Sequence, residues 1–375
     1  MPVPMNFDFI TTQLALDDLL SDAAGSEEIA LDTEFERVRT YHPRLCLIQL
    51  AFGTRVACID ALAELDLGAF WQFLADSTAT KVMHAGRQDL ELAHTESRRA
   101  LGEPVMPVPY VDTQIAAGLL GIGEQVSYAH LVQERQQITL PKAHTRTDWT
   151  KRPLDPAQLD YAADDVRYLL PVWAQLREEL RERGREHWVS EDSAALIDPD
   201  LYEVDTSEAW RRVKGARRLR PEALALLKRL ADWRETRALE RDKPRQWVLK
   251  DEVLLSLAQR RPDSLRTLQR NRDLPAAVVR RHGEELFALL CEPFAAHEVE
   301  PPRSYTPVDE PLVRKLMANL RSLAEQENVC ATSIASRRDI EQFSRGHNHT
   351  RLERGWRREF VGEGLRSLRE EFATL

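Results

Sequence analysis

The sequence predicts an α/β domain built on a mixed sheet, followed by two small all-helical domains. Three observations carry that reading. Strand-like and helix-like stretches alternate up to about residue 195. Strand signals fade after about residue 205, where amphipathic helical spacing takes over. Pro293, Pro301, Pro302 and Pro307 then interrupt the helical part and mark a linker. The boundaries drawn from these signals are 1–195 for the α/β domain, 206–291 for the first helical domain, 292–309 for the linker and 310–375 for the second helical domain. A chain of 375 residues has room for two or three domains.

Local pattern justifies each element. Thr12–Ser21 reads as a helix, and Glu28–Phe35 as a strand. Leu45–Phe52 is a near-continuous apolar run suited to a sheet interior, and Arg55–Asp60 follows it as a third strand. These neighbouring strands are expected to be antiparallel, which makes the sheet mixed. Lys81–His84 is a short apolar strand, and Leu67–Ala75 and Asp112–Leu120 read as helices. Asp155–Gly184 is the clearest helical region. Asp155 can be its N-cap, Pro156 sits at N1, and Gln158 can close a capping box. Leu159, Ala162, Val166 and Leu170 form its apolar stripe, and Pro171 should kink or break it. Farther on, Pro221–Leu239, Asp251–Arg260 and Pro262–Thr267 read as helices, and Leu312, Leu316, Leu320 and Leu323 recur at helical spacing.

Composition excludes several classes. Cys46, Cys58, Cys291 and Cys330 form no Cys-x-x-Cys pair, which argues against a zinc site or a disulfide framework and fits a reducing cytosol. No apolar run approaches membrane-spanning length, and Met1–Asn6 shows no signal-peptide pattern. Net charge is −9, yet Ser207–Glu285 carries about +9 and the first 206 residues about −17. An acidic front and a basic middle suggest a carboxylate site and a polyanion-holding surface. A solvated Arg/Glu helical surface is the other reading of the middle.

Four acids dominate the front. Asp32 and Glu34, in Leu31-Asp32-Thr33-Glu34-Phe35, are two apart on a predicted strand and share one face. Asp89 follows His84-Ala85-Gly86 and opens a helix, with Gly86 expected to permit a sharp bend. Tyr161 and Asp165 are one turn apart on one helix face, whereas Asp164 is rotated away. Each string alone reads first as ordinary surface, and only the conjunction points to a site. If they converge, like charges must be neutralised by protons or by divalent cations. Hard oxygen ligands of this kind suit two-metal phosphodiester hydrolysis.

The three strings, with His84-Ala85-Gly86-x-x-Asp89 and Tyr161-Ala162-Ala163-Asp164-Asp165, resemble the exonuclease motifs of the DEDD superfamily, tyrosine branch. Arg44-Leu45-Cys46-Leu47-Ile48-Gln49, Val111-Asp112-Thr113-Gln114 and Arg146-Thr147-Asp148-Trp149-x-x-Arg152-Pro153 narrow the resemblance to the ribonuclease D family. Leu230-Ala231-Asp232-Trp233-Arg234 with Asp242-Lys243-Pro244 resembles one helicase-and-RNase-D C-terminal (HRDC) domain. Ile334–Glu341 with Gly355-Trp356-Arg357 resembles a second.

The resemblance implies an RNase H-like exonuclease domain followed by two HRDC domains. It also implies a 3′→5′ exoribonuclease that releases nucleoside 5′-monophosphates with two divalent ions, Mg²⁺ or Mn²⁺. Asp32 would bridge both ions, Glu34 and Asp165 would hold the one on the nucleophile side, and Asp89 the one on the leaving-group side. Tyr161 would orient the water. These acids would need ordinary, low pKa values, so activity should fall with pH. Thr33, Phe35, His84, Trp149 and Arg152 are candidate substrate contacts, with packing roles open for Phe35, His84 and Trp149. In the basic run Arg211, Arg212, Lys214, Arg217, Arg218 and Arg220, the arginines Arg217 and Arg218 are candidate phosphate contacts. The implied partner is RNA, foremost precursor tRNA 3′ ends, handled by a cytoplasmic monomer without membrane association. A DNA-directed 3′→5′ exonuclease and a non-catalytic RNA-binding adaptor remain the alternatives.

Overall fold

The computed structural model describes residues 7–141, 147–271, 273–294, 299, 308–347 and 349–373. The N-terminal stretch read for a signal peptide, Arg146 and most of the expected linker, including Pro301, Pro302 and Pro307, lie outside them.

The front of the chain runs β1 (Asp8–Ile10), α1 (Gln13–Ala23), β2 (Glu28–Glu36), β3 (Arg44–Phe52), β4 (Arg55–Asp60), α2 (Gly68–Asp76) and β5 (Thr80–Met83). It continues with α3 (Arg87–Leu101), β6 (Tyr110–Asp112), α4 (Thr113–Leu119), α5 (Tyr128–Gln136), α6 (Pro156–Arg167), α7 (Leu169–Glu182) and α8 (Glu186–Ala194). The six strands form one sheet in the order β1-β4-β3-β2-β5-β6. β3 and β4 pair antiparallel, while β1–β4, β2–β5 and β5–β6 pair parallel, so the sheet is mixed as expected. Every residue of β3 after Arg44 is buried, which its unbroken apolar run required.

Successive side chains of β2 alternate between two cores. Ile29 and Leu31 join the cluster that packs α1, α2 and α3, with Phe35 against it. Ala30 joins the other cluster, which holds Leu159, Ala162 and Val166 of α6. Asp32 and Glu34 follow the parity of Ala30 and so belong to the α6 face.

Capping fixes α6. Asp155 accepts from the Gln158 amide while the Gln158 side chain accepts from the Asp155 amide, and Pro156 occupies N1. The break expected at Pro171 occurs three residues earlier, because Pro171 sits in the first turn of α7, where its missing N–H costs nothing. At the β5–α3 turn the left-handed residue is Ala85 (φ 55°), not Gly86. Gly86 is needed for room: a Cβ there would come within 2.9 Å of Met83 and of the Tyr110 hydroxyl.

The later helices are α9 (Pro221–Glu240), α10 (Arg245–Val248), α11 (Asp251–Arg260), α12 (Leu265–Gln269) and α13 (Ala276–Cys291). They are followed by α14 (Glu310–Gln326), α15 (Ala331–Ile334), α16 (Arg337–Ser344) and a C-terminal helix over Glu363–Ala373. The helix expected at Pro262–Thr267 starts later, at Leu265, because Ser264 is the N-cap and accepts from the Thr267 amide.

Two compact units result, and they do not follow sequence order. One comprises Met1–Glu36, Leu45–Tyr202 and Pro307–Leu375; the other comprises Arg37–Arg44 and Glu203–Thr306. In the first unit Leu312, Leu316 and Leu320 of α14 share one core with Leu176 of α7 and Trp188 of α8. Trp188 stacks on Trp356, with ring centroids 4.1 Å apart. The C-terminal helices are therefore part of the sheet-bearing unit. The second unit has its own core, centred on Leu227, Leu230, Leu254, Leu257 and Leu286. Its α9 buries Arg234 and Glu235 completely. Arg234 donates to Asp251 (2.7 Å) and to the Leu249 carbonyl (2.9 Å). Glu235 accepts from the Tyr41 hydroxyl (2.6 Å), and Asp242 accepts from the amides of Tyr41 and His42. Among the described residues no helix is long and apolar enough to cross a membrane.

Candidate active site

β2, α3 and α6 bring the four predicted acids together. Asp32 and Glu34 stand on β2 and are partly accessible. Asp89 lies in the first turn of α3 and is 7% exposed. Tyr161 and Asp165 stand on α6, both partly accessible. Thr33, on the opposite face of β2 from Asp32, donates its hydroxyl to Asp89 in a short hydrogen bond.

The proximity is felt electrostatically. Burial, followed by Asp89, Asp165 and Glu34, raises Asp32 well above the usual carboxylate range. Burial, Asp165 and Asp89 push Glu34 up to about 8. Burial, Asp164 and Asp89 push Asp165 up to about 7. Asp89 rises less, to about 6, because the Thr33 hydroxyl offsets its burial. The ordinary, low values expected from the sequence are therefore not what the protein alone produces. Gathering four carboxylates in a partly dehydrated site favours their protonated forms.

The same charges act on Tyr161. Burial first, then Asp165, Glu34 and Asp32, hold its phenol above the usual tyrosine range. It stays a neutral hydroxyl at working pH. Trp149, 4% exposed, stacks beside it with centroids 6.4 Å apart.

Among the described residues no three His, Cys, Asp or Glu side chains close on one point as a finished metal cage. The donor set nevertheless suits hard cations. It consists of carboxylate oxygens whose mutual repulsion a divalent ion would relieve.

Other predicted contacts are already engaged. Arg152 spans both oxygens of buried Asp60 (2.8 and 2.6 Å) and donates to the carbonyls of Cys46 (2.8 Å), Trp149 (2.7 Å) and Lys151 (2.8 Å). It clamps the loop before α6 onto the sheet. His84 uses both ring nitrogens, on the Thr113 hydroxyl (2.9 Å) and the Val126 carbonyl (3.0 Å), and burial lowers its pKa. Phe35 packs on the core. Asp164 pairs with Arg167, leaving Asp165 as the acid that faces the site. Arg217 and Arg218 are exposed on a short 3₁₀ turn of the second unit.

Two residues that support the site were given no role in it by the sequence reading. Asp112 caps α4 and accepts from the amides of Ala85 and Gly86, which sets the turn that launches Asp89. The Asp112-Thr113 pair, an N-cap before a short helix, carried that signal. Tyr128 donates to the Asp164 carbonyl (3.0 Å) and so backs α6. Nothing in its sequence neighbourhood marks it.

Comparison with known proteins identifies the family and the fold. The family model for the 3′-5′ exonuclease domain matches residues 7–181, and the one for the HRDC domain matches 223–290. A ribonuclease D of Cronobacter turicensis is 38% identical over 97% of this chain and 100% of its own length.

The chain belongs to the ribonuclease D family.

A ribonuclease D of Nitrobacter hamburgensis is 35% identical, covering 96% of this chain and 95% of its own. The crystal structure of Escherichia coli RNase D, an exoribonuclease involved in structured RNA processing, superposes with a TM-score of 0.85 at 35% identity. That match covers 98% of this chain and 100% of that one. The enzyme class of the ribonuclease D family, 3′-5′ exoribonuclease, is accordingly that of this chain, and the fold is the expected exonuclease domain with an HRDC region.

Proposed function

We propose that this ribonuclease D family member trims RNA 3′ ends one nucleotide at a time, with precursor tRNA as its foremost substrate, by a two-cation mechanism. The observation that carries the reading is the convergence of Asp32, Glu34, Asp89 and Asp165, where Asp89 and Asp165 raise both Asp32 and Glu34, beside the neutral phenol of Tyr161.

When bound, Mg²⁺ or Mn²⁺ would acidify water and neutralise charge on the phosphate. Asp32 would be shared between two ions, Glu34 and Asp165 would serve the nucleophile side, and Asp89 the leaving-group side. Thr33 fixes the orientation of Asp89 through its hydroxyl. Tyr161, kept protonated, would hydrogen-bond the attacking water rather than deprotonate it. Trp149 holds that ring in place. Exposed Arg217 and Arg218 would contribute phosphate contacts. The helices from residue 310 onward would be a second HRDC-type domain, and the enzyme would act as a cytoplasmic monomer.

The test is digestion of a 3′-extended tRNA with and without Mg²⁺ or Mn²⁺, sized at nucleotide resolution. Stepwise shortening that needs the cation and is abolished in Asp32→Asn is expected. Internal cuts, or unchanged cleavage by that variant, would sink the mechanism. Faster turnover of a matched DNA would overturn the substrate.

A further inference from the structure

A cavity of about 440 Å³ lies in the first unit, where α8 meets the turn Arg351–Arg357 of the C-terminal segment. Three arginines of that turn, Arg351, Arg354 and Arg357, line it opposite two acids of α8, Glu191 and Asp192. Both acids are already committed. Asp192 receives a two-pronged pair from Arg357 (2.5 and 2.6 Å) and the Trp356 indole N–H (3.2 Å). Glu191 accepts from the Trp356 backbone amide (3.1 Å).

Arg357 is spent on the fold. It is 3% exposed, and its remaining donors reach the carbonyls of Ser333 (2.6 Å) and Ile334 (2.8 Å). Arg351 and Arg354 are exposed at the mouth. Arg351 comes no nearer than 3.8 Å to Asp192, and Arg354 meets a ring nitrogen of His349 at 3.3 Å. Burial first, and then the neighbouring Arg357, hold Arg351 below the usual arginine range, against the opposing pull of Asp192 and Asp339. A third acid, Asp339, also acts on Arg351 and is engaged with Ser336 in the cap of α16, so the three guanidinium groups and the three carboxylates balance in charge.

The cavity is also preformed. Gly355 has φ 50°, and a Cβ there would fall 1.6 Å from the Glu191 carboxylate, so the turn is pressed onto α8. The Trp188–Trp356 stack lies beneath it. Ile115, Ala195 and Leu196 add an apolar wall. The volume falls in the range of small-ligand pockets and exceeds what a bare ion fills.

We propose that this cavity is a phosphate-binding subsite. Arg351 and Arg354 grip one phosphodiester of the RNA strand, and the apolar wall receives part of the attached nucleoside. Arginine suits the task because its planar fork pairs with phosphate oxygens in two-pronged fashion. The assignment rests on the exoribonuclease reading above.

The test uses the full chain in chelator, so that nothing is cut, with a 5′-fluorescent 20-nucleotide RNA followed by anisotropy at several salt concentrations. The double variant Arg351→Gln/Arg354→Gln is compared with Arg181→Gln, which removes an exposed arginine on α7 paired with Glu178. The double variant should bind about tenfold more weakly. Its log Kd against log salt should flatten by about 0.7, the value of one single-strand phosphate contact. Affinity and slope matching those of Arg181→Gln would overturn the subsite. Inorganic phosphate titrated calorimetrically into the same proteins separates the sources. Phosphate binding lost in the double variant with unaltered RNA binding would assign the cavity to a free anion and overturn the strand. Hydrolysis of the same RNA by the unaltered chain with Mg²⁺ is read alongside. Its absence, with variant-sensitive RNA binding intact, refutes the exoribonuclease reading and leaves the subsite standing.

Discussion

Loading the site with divalent cation should expel protons, and the number is set by the crowding of the acids. At pH 7, with Glu34 near 8, Asp165 near 7 and Asp89 near 6, these groups hold roughly 0.9, 0.5 and 0.1 of a proton. Cation ligation requires the ionised forms, so about 1.5 protons leave from these three, and Asp32, raised in the same direction, adds to the count. Apparent Mg²⁺ affinity should then tighten by roughly 30-fold for each unit of pH around neutrality. The assay is calorimetric titration of Mg²⁺ into chelator-treated full-length protein at pH 7, in two buffers of different ionisation enthalpy. The difference in heat counts the protons. Glu34→Gln should remove close to one of them. Heats independent of buffer would refute the reasoning, because the acids would then be ionised before the cation arrives.

The same shifts give stability a sign. Folded-state values above the unfolded ones mean that the native chain holds more protons, so this contribution is present near pH 4 and lost as pH rises through about 6 to 8. Thermal melts should show Mg²⁺ raising Tm more at pH 8.5 than at pH 5.5, and an equal rise would contradict it. Tyr161→Phe should lower kcat by roughly 10- to 100-fold with little change in KM, measured by single-nucleotide release, since it removes a water-orienting hydroxyl and no ring packing. Arg152→Ala leaves Asp60 buried without its partner and should cost about 3–5 kcal/mol in urea unfolding. Trp356→Ala, at a ring 1% exposed, should cost about 3–5 kcal/mol by the same measurement.

Much of the site was legible in the sequence because its parts sit on elements with strong local signals. The apolar run of β3, the capping box of α6 and the two-residue spacing of Asp32 and Glu34 each have a period or a cap that survives without tertiary context. The strands β1 and β6 were not legible. Each has three residues, too few to show alternation. Arg152 was read as open to substrate, and for His84 a structural role stood beside the substrate one, because a sequence shows a donor but not its acceptor; the Asp60 carboxylate lies 92 positions away and the Val126 carbonyl 42. The raised pKa values were hidden for a related reason. Spacing indicates that acids converge, but dehydration depends on the walls that close around them.

The interleaving of the two units bears on how the protein is made. The second unit is drawn from residues that lie inside the span of the first, and α14 supplies Leu312, Leu316 and Leu320 to the core that also holds Leu159 of α6. Synthesis runs from the N-terminus, so the sheet and the helix bearing Tyr161 and Asp165 emerge from the ribosome well before that core can close. The second unit, complete by residue 306, is free to fold first. A nascent chain would therefore expose an unfinished apolar face around Trp188 until Trp356 arrives. Full rigidity of the catalytic unit would be withheld until the segment that carries Trp356 has been translated.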